Sequence, residues 1–182
     1  MRRVSRPCRS VRRLGLLAVL FVVSLTGACA TTGSFDGSVY HGRYASYRLA
    51  PFPTTWHPLR LAAADLAFRD EPHEGSILVN SRCATADRDA PLLALTEHLI
   101  IGTTDRKISR EETLPLDSRE ARHTILQARL DGVPMAYDIF VLKKDGCVFD
   151  LVYVAPPDAN GASGAADFEQ FVRGFHTLPG AG

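Results

Sequence analysis

The stretch AYDIF, residues 136–140, sets a carboxylate between apolar neighbours in a segment that otherwise reads as sheet interior. A carboxylate taken out of water needs a hydrogen-bonding partner, and a histidine or a tyrosine hydroxyl can supply one while moving its pKa. The Asp-Gly pairs at 131–132 and 145–146 are suited to two-residue hairpin turns. With both turns in place, Asp138 lies opposite Ile125 on one side and Tyr153 on the other, and His123 and Gln127 stand at its diagonals. His123, Gln127, Asp138 and Tyr153 then share a face, either as a small polar ligand site or acid/base pair, or as a structural hydrogen-bond cluster. A slip of one residue moves Asp138 to the other face and dissolves the group. Asp150, in VFDLV on the opposite face, is a second charged intrusion of the structural kind.

Other chemistry is sparse. GxSxG, HExxH, P-loop and GxGxxG patterns are absent, which weighs against an enzyme. The histidines at 41, 57, 73, 98, 123 and 176 follow no metal-ligand spacing, so neither metal nor cofactor is expected. The charged stretches SREE (109–112) and DSRE (117–120) read as solvated faces.

The amino terminus carries an address. Six arginines precede the apolar run LGLLAVLFVVSL (14–25), which gives way to the small residues Thr26, Gly27 and Ala28. That is the plan of an export signal. The run is shorter than the ~20 apolar residues a helix needs to span a bilayer. Leu25 to Cys29, the sequence LTGAC, resembles the lipobox of bacterial lipoproteins, although Thr26 stands where leucine is commonest. The resemblance implies cleavage before Cys29 and a lipid on its thiol. Each buried methylene adds about 0.8 kcal/mol, so several acyl chains hold where one is marginal. By the same resemblance, Ala30 rather than aspartate implies the periplasmic face of the outer membrane in a host with two membranes. Residues 1–28 are thus a signal peptide, 29–38 (beginning CATTGSFDG) a lipidated cysteine with a flexible tether, and 39–177 one globular domain.

All six leader arginines precede the first acidic residue, Asp36; without them the chain has 15 basic against 20 acidic residues, a net of −5. An acidic body without clustered positive charge does not suit nucleic acid. Of the four cysteines, Cys8 leaves with the signal and Cys29 takes the lipid, so Cys83 and Cys147 remain as a candidate disulfide or as two buried thiols.

The elements that must position the polar cluster come in order. Residues 39–49 read as extended and APFPTTWHP interrupts them; 63–70 and 75–83 form a hairpin around EPHEG. A helix near 90–101 has Asp89 as its cap and Leu92, Leu95 and Leu99 on one face. A weaker strand at 106–116, ended or held at an edge by Pro115, precedes a three-stranded meander through residue 155. PPDANGASGA reads as a loop, and Phe168, Phe171, Val172 and Phe175 mark an amphipathic helix over 165–175. The last meander strand is apolar on both faces, so it must be covered on both. The expected fold is α+β, an αβα sandwich with a mostly antiparallel sheet, its strands within 39–83 and 106–155.

YRLAPFPTTW (47–56), the hairpin around LAFRDEPHEGSILVN, the helix after it, the Asp-Gly meander and the terminal FEQFVRGF follow an order of elements similar to that of PsbP-like proteins. These include extrinsic photosystem II subunits and several bacterial lipoproteins. The resemblance implies a sandwich used for docking and assembly, and transfers no site residue. The functional expectation is a non-enzymatic, lipid-anchored cell-envelope protein that binds a protein partner and touches the membrane through Cys29. Binding of a lipid or other apolar ligand is the alternative, and a hydrolase the least favoured.

Overall fold

In the computed structural model, residues 33–83 and 89–179 are described. The expected signal peptide, Cys29 and the start of the expected tether lie outside the described residues. Among those described, no helix is long and apolar enough to cross a membrane.

A four-stranded antiparallel sheet is built from β1 (Ser34–Phe35), β2 (Val39–His41), β3 (Ser46–Arg48) and, from the far end of the chain, β11 (His176–Leu178), in the order β1-β2-β3-β11. A seven-stranded sheet contains β4 (Trp56–Leu59), β5 (Leu66–Asp70), β6 (Gly75–Cys83), β7 (Thr103–Leu116), β8 (Arg119–Leu130), β9 (Val133–Lys144) and β10 (Cys147–Ala155). Its order is β4-β5-β6-β10-β9-β8-β7, and every pairing is antiparallel. Helix α1 (Leu92–Leu99) covers one face and α2 (Ala159–Arg173) the other. The fold is therefore α+β, two helices on antiparallel sheets.

The two cores follow from strand alternation. Leu126, Ala128, Tyr137, Ile139, Val141 and Val148 point towards α1, where Leu95 and Ile100 meet them. On the other face Ile77, Val79, Phe149, Leu151 and Tyr153 meet Phe168, Phe171 and Val172 of α2, together with Tyr40 and Tyr47 of the small sheet. Strand β10 is thus covered on both sides, as its two apolar faces require. On the α1 side Asp150 is buried but paired with Arg82.

Four expectations need correction. Residues 34–38, expected within a flexible tether, are structured: β1 pairs with β2, Phe35 packs against Phe52 and Phe68, and Asp36 Oδ1 accepts from the backbone of Ser38 and Val39 at 2.9 and 2.7 Å. Residues 39–49 are a tight hairpin of the small sheet, closed by the Gly42 N to Ala45 O bond of 3.0 Å, and β4 forms in spite of Pro58 because it lies at a sheet edge. Helix α1 has no side-chain cap; its N-cap is Pro91, not Asp89.

The fourth concerns α2, which begins at Ala159, inside the expected loop, with Asp158 as its cap accepting from Gly161 N at 2.9 Å. Glycines in its first turns read as breakers in sequence. Here Gly164 is buried, and a Cβ at that position would overlap the Tyr153 hydroxyl and lie 2.6 Å from Asp70 Oδ2. Close approach of helix to sheet, not backbone propensity, decides this segment.

Candidate functional site

Both Asp-Gly pairs are left-handed two-residue turns, with φ of 51° and 81° at Asp131 and Gly132 and of 51° and 75° at Asp145 and Gly146. They set the register that places Asp138 across from Ile125 and from Tyr153. His123 and Gln127 sit two residues either side of Ile125, on the same face, which lies under α2.

His123 and Asp138 meet. The Nε2 of His123 is 2.8 Å from Asp138 Oδ1, and both residues are only 2% exposed. The other ring nitrogen, Nδ1, is 3.2 Å from Glu112 Oε1 on β7. The ring stacks on Phe140, 4.0 Å between centroids at 10°. Carboxylate oxygens accept, so with both carboxylates ionised both ring nitrogens donate and the ring is an imidazolium. Burial disfavours that charge, but the hydrogen bond and charge of Asp138, with Glu112 behind them, more than offset it and hold the His123 pKa above its ordinary value. Burial pushes the Asp138 carboxyl up from its ordinary value, with His123 opposing.

Tyr153 stands opposite Asp138 without serving it. Its hydroxyl donates to Asp70 Oδ2 at 3.2 Å, the same oxygen that His73 Nδ1 approaches at 2.8 Å. The tyrosine's pKa is raised by burial and by the Asp70 charge. Gln127 is exposed and lines the rim of a cavity of about 380 Å³ that also takes in Asp138, Tyr153, Ile125 and Ala165. Asp138 Oδ2 is buried and finds no hydrogen-bond partner among the described residues.

Two carboxylates escaped the sequence reading. Glu112 keeps a side chain 48% exposed, as expected of a solvated stretch, yet the two-residue Asp117–Ser118 turn sets it directly across from His123. Glu169 reaches the cluster from α2, with its Oε2 3.3 Å from Arg173 Nη2 and its Oε1 3.8 Å from Arg110 Nη1. His123, Asp138 and Glu169 each present one ligand atom, all within 4.8 Å of one another, so these three could hold a metal ion. The sign of Glu169 in sequence was its place on the polar side of the FEQF helix; nothing local showed which strand it would face. Asp117, in the second stretch read as solvated, is likewise turned inward, with Lys144 Nζ 2.7 Å and Thr177 N 2.8 Å from its carboxylate.

His123 has no ring nitrogen left to take a proton from a hydroxyl, and Ser109, which lines the cavity, donates to the Ile125 carbonyl at 3.2 Å. A larger hollow of about 910 Å³ opens beside Leu92, Arg119 and Lys143. No buried, unpartnered side-chain polar atom belongs to the residues lining it.

Cys83 and Cys147 are joined in a disulfide between β6 and β10, where they stand directly across from each other.

No protein-family model matches the chain, and no curated protein matches it in sequence. Solved structures do share its fold. PsbP (CyanoP) from the cyanobacterium Synechocystis has 13% identity and a TM-score of 0.56, over 84% of this chain and 98% of that one. LpqN of Mycobacterium tuberculosis, described as involved in cell envelope biogenesis, has 15% identity and a TM-score of 0.52, over 76% and 88%. The Ran-binding protein Mog1p of Saccharomyces cerevisiae has 14% identity and a TM-score of 0.51, over 79% and 96%. The fold is thus of the PsbP-like kind, and at these identities the likeness extends to fold alone.

Proposed function

We propose that this chain is a non-enzymatic, lipid-anchored protein of the cell envelope whose folded body docks a protein partner. The observation that carries binding over catalysis is His123, whose two ring nitrogens are both engaged by carboxylates. Export is supported by the leader and by the Cys83–Cys147 disulfide, a bond that persists in oxidising compartments and is rare in the cytosol. Neighbours in fold support the same reading through what they are named for, envelope biogenesis in one case and Ran binding in another. Growth with labelled palmitate tests the anchor: the wild type incorporates label and Cys29→Ala does not. Crosslinking in cells followed by detergent purification tests docking, and recovery of the chain with no stable partner opposes it.

The cavity beside Asp138 favours a second reading, a lipid or other apolar ligand taken between α2 and the meander. Its volume of about 380 Å³ is that of a small-ligand site. Native mass spectrometry of detergent extracts would show the bound molecule, and an empty protein would remove this reading.

A further inference from the structure

We propose that His123, Asp138 and Glu169 form a binding site for a divalent transition metal of the zinc class, with Glu112 orienting the histidine from behind. Their ligand atoms already converge within 4.8 Å. Imidazole nitrogen with two carboxylate oxygens is a donor set that zinc accepts, and three protein ligands leave a coordination position for water or a bound group.

Three features suit this cluster to a metal ion. First, Asp138 is 2% exposed and its Oδ2 has no partner, although a buried carboxylate oxygen normally finds one; a histidine bound only through Oδ1 leaves that oxygen unexplained. Second, the His123 ring is pre-set: Phe140 holds its plane, and Glu112 accepts from Nδ1, leaving Nε2 on the side of Asp138. Metal-bound histidines commonly pass their other N–H to a carboxylate in this way. Third, the site has access. The Glu169 side chain is 28% exposed, and cavities of about 380 and 440 Å³ both reach it. Arg110 and Arg173 approach Glu169 from β7 and from its own helix, beside the third ligand. Binding replaces the Nε2 proton of His123 with the metal, and that proton goes to solvent.

The test uses full-length protein in detergent, stripped with chelator and titrated with zinc chloride in a calorimeter, with magnesium chloride as the comparison. The expected result is one zinc per chain with Kd on the order of micromolar or tighter, much weaker magnesium binding, and a rise in Tm with zinc. Glu169→Gln lies on a partly exposed helix face, so it should fold; it should weaken zinc by at least about tenfold. Glu112→Gln should weaken it by about 10- to 100-fold while leaving one site per chain. Absence of zinc binding overturns the proposal, and so does zinc binding that Glu169→Gln and Glu112→Gln leave unchanged, since that metal sits elsewhere on the surface.

Discussion

Glu112 stands directly across from His123 because the two-residue Asp117–Ser118 turn, with φ of 49° and 60°, sets the β7–β8 register, which runs unbroken from Leu116 opposite Arg119 back to Arg110 opposite Ile125. The irregularity lies beyond that stretch, between Arg110 and Ile108, so it changes the side only of the earlier residues and Ile108 faces Leu126. Glu112 therefore joins the buried histidine, while Glu111 goes to the other face and pairs with Arg122.

Glu112→Gln removes one of the charges that favour the imidazolium. The His123 pKa should fall, and an NMR titration of its ring protons would record the shift. An unchanged titration would mean that Asp138 and Glu169 set it without Glu112.

Linkage gives the direction of the pH dependence. The folded protein holds the His123 proton more strongly than the unfolded chain, whose histidine has an ordinary value of 6.5. The corresponding stability is fully present below pH 6.5 and is lost as pH rises through the higher folded value. His123→Gln should flatten the fall of urea midpoint above pH 6.5, and an equal slope in both proteins would contradict this assignment.

Asp117 acts in the opposite sense. Burial would raise its carboxyl, but Lys144 and the Thr177 backbone and hydroxyl outweigh burial and hold it below the ordinary 3.8. Its contribution is present above pH 3.8 and lost as pH falls through the lower folded value. Asp117→Asn should lose stability at neutral pH and show a shallower acid transition, measured by circular dichroism between pH 2 and 6.

Gly164→Ala forces a methyl against the Tyr153 hydroxyl and Asp70. The expected cost is about 1–3 kcal/mol, the range for overpacking a close contact. Adding Tyr153→Phe should return part of it, because the overlap is with the hydroxyl. Denaturation of the single and double variants would decide the point.

Cys83→Ser with Cys147→Ser frees a loop of 64 residues in the unfolded chain. The loss should be about 2–5 kcal/mol. Urea melts of the variant and of reduced wild type should then coincide.

The meander, its two Asp-Gly turns and the placing of Asp138 opposite Tyr153 were legible in sequence, because period-two alternation and two-residue turns are local. So were the apolar stripes of the helices and the need to cover β10 twice. The start of α2 was not, because its glycines answer to Tyr153 and Pro156, residues outside the helix whose approach no local propensity encodes. The strand at 34–35 was not legible for a similar reason: Phe35 is held by Phe52 and Phe68, not by its neighbours in the chain.

By itself, then, the sequence determined which backbone positions of the meander face one another, since hairpin chemistry propagates register residue by residue. Only the tertiary structure decided where the side chains at those positions find partners. Tyr153 turns from Asp138 to Asp70 on another hairpin. Docking of α2 delivers Glu169 to His123 and Asp138. A carboxylate's partner is chosen by distance in space after two surfaces pack, and that packing leaves no repeating pattern in the chain.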